Sequence, residues 1–204
     1  MGPRLGFLVA ALALACAGPV AAQEFVVDLD APREVKFISQ TTLEGFEGVT
    51  DRIDGFVFLG TGRTGADLTP GARLEGSTLY FEVDLASIDT GIGLRNRHMR
   101  EEYLETDEFP FTTFEGVIAA VGEHPDGGLR ITSPGTFSAH GVDRIRTLDC
   151  RVSPDGDGYR IACGFMVSLS DHDIEVPSIM FLKLAEQVRV EIDFRVTPDS
   201  GEER

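Results

Sequence analysis

Apolar and polar residues alternate along most of this 204-residue chain. The alternation is clearest in segment 78–85, where every odd position is apolar, and in segment 188–195, where every even position is apolar. Successive side chains of a β-strand point to opposite faces, so a period of two residues predicts a strand with one face against a core. The chain is therefore predicted to consist mainly of half-buried strands.

Further segments add strand signals, either by alternation or as apolar runs bounded by turn residues. These segments are 25–29, 34–38, 52–59, 111–121, 129–139, 142–152 and 159–169. Helical spacing is confined to segments 92–105 and 178–186. Roughly eight or nine strands with mostly short turns predict an all-β protein, an antiparallel sheet curled into a barrel or sandwich with one or two short helices. We favour a barrel of about eight strands, because closure removes exposed edges.

Phenylalanine dominates the aromatic residues, since the chain has 14 Phe, three Tyr and no Trp. Phe supplies apolar area without a polar group that must be hydrogen-bonded, which favours an apolar interior. The strand pattern assigns the following residues to inward faces: Phe37, Phe56, Phe58, Phe81 and Phe165. Such residues either fill a core or line a cavity, because an eight-stranded barrel is close to the size at which both arrangements exist.

The segment 1–22 has the features of a secretory signal peptide. Arg4 supplies the positive start, and the apolar core, residues 7–17, is too short to span a bilayer. Small residues before Gln23 provide a cleavage site. A lipoprotein signal that uses Cys16 is the alternative, and the residues before Cys16 fit it poorly.

The remaining segment, residues 23–204, has the length of one domain and is expected to be periplasmic or secreted. It contains no stretch close to the roughly 20 apolar residues of a membrane helix. The whole chain carries 34 acidic and 18 basic residues, a formal charge of −16. Such an acidic surface repels nucleic acid and anionic lipid headgroups, because both are bound by basic patches. We interpret the charge as a solubility feature.

Cys150 and Cys163 remain after removal of the leader. The residues 155–158 between them, Asp-Gly-Asp-Gly, are a strong turn signal. If these four residues form the loop of a hairpin, Cys150 lies directly opposite Cys163, at a separation that a disulfide tolerates. The spacing is unlike that of a zinc site, and an oxidising compartment permits the bond. We therefore predict a structural disulfide, worth about 3 kcal/mol in the chain-entropy model.

The segment 86–115 interrupts the strand pattern with a run of charges. Its basic residues precede its acidic residues, opposite to the order that the helix dipole favours. Arg97 also precedes Glu101 by four residues, the weaker orientation of such a pair. A segment that breaks local rules is held by tertiary contacts or is functional. Two interpretations stay open: a salt-bridged structural plug, which we favour, or a lid whose Arg97 or His98 meets a ligand headgroup at the barrel rim.

The same segment resembles the YceI-like family. The matching motifs are Ser87-Ile88-Asp89-Thr90-Gly91, Arg97-His98-Met99-Arg100 and Glu108-Phe109-Pro110. Further matches are Phe46-Glu47-Gly48, His140-Gly141-Val142 and the run 169–177, so the resemblance covers nearly the whole mature chain. The chain departs from the family at Pro32-Arg33, where His-Ser is frequent, and at His172-Asp173, where Phe-Gly is frequent.

Members of that family are exported proteins with a lipocalin-like fold, and they bind polyisoprenoid lipids, including quinone tails, in a long apolar cavity. The resemblance therefore implies a lipocalin-like β-barrel that sequesters or transports an isoprenoid lipid or quinone, with no covalent cofactor. The expected lipid-contacting residues are Phe37, Phe56, Phe58, Phe81, Val83, Phe114, Phe165, Val167, Val190 and Ile192. The alternatives are a filled-core barrel that acts as a stress-response or interaction protein without lipid and, by analogy, a redox accessory of a membrane cytochrome.

Catalytic and metal-binding signals are weak. The chain has no Gly-x-Ser-x-Gly, no His-Glu-x-x-His and no phosphate-binding glycine loop, so we do not expect an enzyme. Asp171-His172-Asp173 has residue types that bind metals. Neighbours on a strand point to opposite faces, however, so we expect no metal site there.

The segment 177–184 contains four consecutive apolar residues at 179–182. It predicts either a portal that touches a membrane transiently during lipid transfer or a helical turn, capped by Ser178, that covers the barrel. We favour the cap, because soluble proteins rarely leave such runs exposed.

Overall fold

The computed structural model describes residues 23–40, 45–176, 178–179, 182–183 and 185–201. The predicted signal peptide, with Cys16, lies outside these residues. The strands are β1 (Glu24–Val27), β2 (Glu34–Gln40), β3 (Gly45–Thr50), β4 (Ile53–Phe58), β5 (Thr78–Asp84), β6 (Phe111–Gly116), β7 (Ala120–Glu123), β8 (Leu129–Ala139), β9 (Val142–Asp155), β10 (Gly158–Ser168), β11 (Ser178–Ile179), β12 (Leu182–Lys183) and β13 (Gln187–Pro198). The described residues contain one α-helix, α1 (Gly93–His98), which continues into a π-helical turn, Met99–Tyr103.

Eight strands form a closed antiparallel barrel in the order β1-β4-β5-β6-β8-β9-β10-β13. β1 closes the ring, because it pairs with β4 on one side and with β13 on the other. Val26, for example, lies opposite both Phe56 of β4 and Thr197 of β13. The prediction of an all-β antiparallel barrel is therefore confirmed.

The hairpin of β2 and β3 extends the wall beside β13, at what we call the upper end of the barrel. Ile38 of β2 lies opposite Arg189 near the start of β13, whereas β1 pairs near the end of β13. The outer edge of β3 is fixed at Val49, whose N–H donates to Asp89 O while Asp89 N donates to Val49 O, both at 2.9 Å. The chain that follows β5 thus lies against β3 at the upper end.

The loop between β4 and β5, residues 59–77, covers the opposite, lower end. Tyr159 Oη donates to Gly65 O at 2.9 Å, and the Tyr159 ring packs edge-on against Phe25 with centroids 5.3 Å apart. Burial raises the pKa of Tyr159. Leu74 of the loop is buried against the same core. The lower end is therefore closed by apolar packing around one partly buried phenol.

One arginine joins three parts of the barrel near its lower end. Arg195 of β13 donates to the carboxylates of Asp28, just after β1, and Asp157, in the β9–β10 turn. The side chains of Arg195 and Asp28 are only 17% and 18% exposed. Burial acts to raise the pKa of Asp28, but hydrogen bonds from Asp30 N–H and Arg195 outweigh it and hold that pKa below its usual value. The charged form of Asp28 therefore favours the closed barrel.

Cys150 and Cys163 form a disulfide with their Cα atoms 4.5 Å apart. The β9–β10 hairpin turns at residues 155–158, which places Pro154 opposite Tyr159 and the two cysteines opposite each other. The predicted pairing is confirmed. Backbone pairing between β9 and β10 ends at the disulfide, and above it β9 pairs with β8 while β10 pairs with β13.

Arg146 of β9 bridges the space between β9 and β10 above the disulfide. Its Nη2 donates to Met166 O of β10 at 2.6 Å. Its guanidinium lies 4.8 Å from the ring centroid of Phe165 and 5.4 Å from that of Phe137. Such cation–π contacts are favourable where the cation is partly desolvated, and burial lowers the pKa of Arg146. Side chains rather than backbone hydrogen bonds therefore join the two strands here.

Of the two predicted helices, only the first is present among the described residues. The segment 92–105 contains α1 and the π-helical turn, whereas the prediction of a helix at 178–186 is wrong. There β11 pairs with β12 as a short antiparallel ladder, and β13 begins at Gln187. A segment this short forms only a marginal helix alone, and its described residues at 178–179 and 182–183 pair as strands instead. The side chains of 177–184 lie outside the described structure, so a membrane portal there stays a prediction.

No helix in the described ranges is long and apolar enough to cross a membrane.

We expect Asp28→Asn to lower the free energy of unfolding by about 1–2 kcal/mol at pH 7. The pKa of Asp28 is lowered in the folded state. Its contribution is therefore fully present above the unfolded pKa of about 3.9 and is lost as the pH falls through the folded value. Urea unfolding at neutral and at strongly acidic pH measures the difference, which should shrink in acid.

Asp30→Asn, at an exposed neighbouring position, is the matched control for Asp28→Asn. An equal loss of stability in both variants at pH 7, or a loss at Asp28 that persists in acid, would contradict the role given to the Asp28 carboxylate.

We expect the double variant C150A/C163A to lose about 3 kcal/mol of unfolding free energy, because its unfolded chain regains the entropy of an open loop. Urea unfolding of the oxidised proteins measures this loss. Dithiothreitol should destabilise the wild type similarly and leave the double variant unchanged. A wild type that unfolds identically with and without the reductant rules out a stabilising disulfide.

Candidate functional site

An apolar cavity of about 1200 Å³ occupies the barrel interior. Its lining extends from Phe25 and Tyr159 near the lower end to Ile92 and Leu94 at the upper end. Ordinary small-molecule pockets measure roughly 300–1,000 Å³, so this cavity has room for a long apolar ligand. The side chains do not fill the barrel, whereas the filled-core alternative requires that they do.

Eight of the ten residues expected to contact lipid line this cavity. They are Phe37, Phe81, Val83, Phe114, Phe165, Val167, Val190 and Ile192. They lie on β2, β5, β6, β10 and β13 at the positions that strand alternation turns inward. Their contact with a lipid stays a prediction.

Phe56 and Phe58 lie outside the cavity lining, so the prediction that they face inward is wrong. On β4 the inner positions belong to Ile53 and Val57, which are 2% and 9% exposed. Phe56 instead stacks on Tyr80 on the outer face, with ring centroids 6.3 Å apart. Because apolar residues adjoin in this strand, alternation alone does not decide which parity faces the core.

The helix α1 and the residue before it form one side of the upper rim. Ile92 and Leu94 line the cavity although they are 52% and 57% exposed. Arg95 and His98 also line it, whereas Arg97 is exposed and lies outside the lining. Residues of a helix are separated by about 100°, so Arg97 faces away from the direction of Arg95. The structure thus places His98 at the cavity lining, whereas Arg97 lies on the same rim helix and faces away from the cavity.

Hydrogen bonds to the preceding chain hold α1 in place. Asn96 Oδ1 accepts from Thr90 N at 2.8 Å and from Thr90 Oγ1 at 2.6 Å. Asn96 Nδ2 donates to Asp89 Oδ1 at 2.7 Å, and this bond lowers the pKa of Asp89. Arg100 Nη2 donates to Ile88 O at 2.8 Å. These hydrogen bonds hold the segment in place independently of the helix dipole. The segment therefore tolerates an order of charges that the dipole disfavours.

Two contacts between a histidine and a glutamate are present in this segment, within the described chain. His140 Nε2 lies 2.8 Å from Glu105 Oε2, and the His140 ring packs on Phe109 with centroids 4.6 Å apart. His98 Nε2 lies 4.0 Å from Glu102 Oε1, and both side chains are exposed enough for this contact to be weak. The Glu105 pair ties the end of the helical segment to the β8–β9 turn. The expected salt-bridged plug is therefore only a small part of what holds the segment.

The motif Asp171-His172-Asp173 has a structural use. His172 is 3% exposed, and its Nδ1 donates to Val142 O at 3.0 Å. Its ring packs edge-on against Phe137, with centroids 5.2 Å apart. Asp171 and Asp173 are exposed beside it. The histidine thus fixes the turn after β10 against the start of β9.

Sequence reasoning missed Ser39 and Arg95 as polar residues of the rim. Both line the cavity. Ser39 follows Val35 and Phe37 at the same parity of β2, and a polar residue at an inward position is the signal that was available. No comparable signal distinguishes Arg95 from Arg97, because the choice depends on how α1 is oriented against the barrel.

A family model described as the YceI-like domain matches residues 29–196 of this chain. The chain belongs to the YceI-like family. The membership predicted from the motifs is thereby confirmed.

Solved structures with the same fold as this YceI-like protein include three distant relatives. BcnA from Burkholderia cenocepacia is 18% identical, with a TM-score of 0.65 over 84% of this chain and 99% of that chain. A polyisoprenoid binding domain from Saccharophagus degradans, implicated in plant cell wall breakdown, is 15% identical, with a TM-score of 0.62 over 87% of this chain and 99% of that chain. The Campylobacter jejuni YceI protein is 12% identical, with a TM-score of 0.51 over 97% and 94% of the two chains. At these identities the likeness shows the fold alone.

A comparison with curated proteins gives no match.

We expect Asn96→Ala to lower the free energy of unfolding by about 1–2 kcal/mol, because it removes the hydrogen bonds that hold α1 to Asp89 and Thr90. Amide hydrogen exchange should also quicken in residues 88–104. Arg97→Ala, exposed on the same helix, is the control and should stay within about 0.5 kcal/mol of the wild type. Equal losses in both variants would instead favour charge pairing as the force that holds the segment.

Proposed function

We propose that this YceI-like protein binds an isoprenoid lipid or a quinone in the barrel cavity, for sequestration or transport. The observation that carries the proposal is the apolar cavity of about 1200 Å³ inside a closed wall of strands. The Saccharophagus degradans relative, which shares the fold, is a polyisoprenoid binding domain. Removal of a hydrocarbon tail from water contributes about 25 cal/mol for each Å² buried, so binding needs no specific polar contact along the tail.

The upper rim is the proposed place at which the tail enters. Ile92 and Leu94 are half-exposed there and still line the cavity, so they offer an apolar surface to a tail before it is enclosed. The lower end is covered by the contact of Tyr159 with Gly65. A tail inserted from above would leave its headgroup near His98.

Export to the periplasm or beyond is part of the proposal. The segment 1–22, which lies outside the described residues, has the composition of a signal peptide. The Cys150–Cys163 disulfide supports the same location, because such bonds persist in oxidising compartments.

Native mass spectrometry of protein exported by its own leader and gently purified tests the proposal. We expect an adduct in the mass range of an isoprenoid lipid or quinone. Ala139→Phe places a ring in the cavity and should reduce or abolish that adduct, because Ala139 is one of the lining residues.

Ala162→Phe is the matched control, since Ala162 lies outside the cavity lining, opposite Asp193 and Arg151. It should retain the adduct, and circular dichroism should show that both variants are folded. A wild type that carries no adduct and takes up neither a polyprenol nor a quinone on incubation would overturn the proposal.

A further inference from the structure

One hydroxyl group at the upper end of the cavity is buried and unsatisfied. Ser39 is 2% exposed and lines the cavity. Its Oγ has no hydrogen-bond partner among the described residues. Buried polar side chains nearly always have a partner, so an unpaired one needs an explanation. A ligand atom in the cavity is the partner that this position leaves room for.

An arginine lies at the same end without a carboxylate. Arg95 donates from Nε to Thr90 Oγ1 at 2.8 Å and from Nη2 to Thr90 O at 2.5 Å. Both acceptors are neutral, and across the described ranges no acidic side chain forms an ion pair with it, although the chain has 34 acidic and 18 basic residues. Its positive charge at the cavity lining is therefore available to a ligand.

Phe46 brings the hydroxyl and the guanidinium together. Ser39 and Phe46 are directly opposed in the β2–β3 pairing, so their side chains share one face with Cβ atoms about 5 Å apart. The Arg95 guanidinium lies 4.5 Å from the centroid of the Phe46 ring. Ser39 and Arg95 thus both neighbour one aromatic ring of the cavity lining.

We propose that Ser39 and Arg95 form an oxyanion site at the mouth, which binds the phosphate or carboxylate headgroup of a lipid whose tail fills the cavity. This inference rests on the proposed function and adds the class of headgroup. A guanidinium presents several N–H groups in a plane that matches an oxyanion, and the serine hydroxyl adds another donor. A neutral alcohol accepts a hydrogen bond but lacks the charge, so the site favours anionic over neutral headgroups.

Calorimetric titration with two ligands of one tail, geranylgeranyl monophosphate and geranylgeraniol, tests the oxyanion site. The delipidated wild type should bind the monophosphate about tenfold or more tightly than the alcohol, as expected for a charge-assisted hydrogen bond. Arg95→Gln should remove most of that preference and leave the affinity for the alcohol within about twofold. Inorganic phosphate alone should not bind measurably, since it has no tail.

Two variants distinguish headgroup binding from structural support. Ser39→Ala should weaken binding of the monophosphate severalfold while its melting temperature stays equal or rises, because it removes an unsatisfied buried hydroxyl. Arg97→Gln carries the same charge change as Arg95→Gln on the outward side of α1 and should bind both ligands like the wild type.

Equal affinity of the wild type for the two ligands would overturn the oxyanion site and leave the proposed tail binding intact. So would a loss of preference in Arg97→Gln as large as that in Arg95→Gln. Inorganic phosphate that binds as tightly as the monophosphate would overturn the assignment to a lipid headgroup. Failure of the alcohol and the monophosphate alike to bind would overturn the oxyanion site, and it would overturn the proposed function as well if the protein also carries no adduct and takes up no quinone.

Discussion

Closure of the sheet between β1 and β13 is the constraint on which the rest of the structure depends. Eight strands joined edge to edge set the width of the barrel, because strand number and tilt determine the diameter of a closed sheet. The inward side chains therefore project into a space whose width they do not control. They cover its wall and leave its axis open, and this is the physical origin of the cavity.

Different kinds of contact cover the two ends of the barrel interior. Apolar packing around Tyr159 seals the lower end, whereas polar bonds from Asn96 hold α1 at the upper end. No residue of α1 itself is buried, and the apolar anchor of the segment is Met99, directly after the helix. Ile92 and Leu94 are thus left exposed at the mouth of the cavity, and the two ends of the barrel differ in their chemistry.

Much of the fold could be predicted because its signals are local. Alternation and the turn at 155–158 depend on residues close in sequence, and they predicted the barrel and the disulfide partners. Strand β4 is a case in which such local signals assigned the inward face wrongly. Gly55 occupies an inward position there with φ of 143°, and a Cβ atom would lie 2.1 Å from Tyr80 O. With no side chain at that position, the pattern assigned the inner face to Phe56 and Phe58 instead.

The polar groups of the rim could be predicted only in part. His98 was expected there from the charge pattern, but Ser39 and Arg95 each neighbour Phe46, and they lie far apart in sequence. Their proximity depends on how the β2–β3 hairpin and α1 dock on the barrel. Local periodicity carries no information about such docking, which is also why it did not separate Arg95 from Arg97.

Backbone pairing between β9 and β10 ends at the disulfide, and this affects the circumference of the barrel. Below Cys150 and Cys163 the circumference is fixed by a continuous ladder of backbone hydrogen bonds, and any widening must break that ladder. Above them the same seam is spanned by the Arg146 side chain, which holds one carbonyl and two rings. Side-chain contacts of this kind rearrange through rotamer changes, whereas a strand ladder changes only when its backbone hydrogen bonds break. The width of the upper part of the wall can therefore change at this seam without loss of a backbone hydrogen bond between β9 and β10, and the disulfide limits how far that change extends.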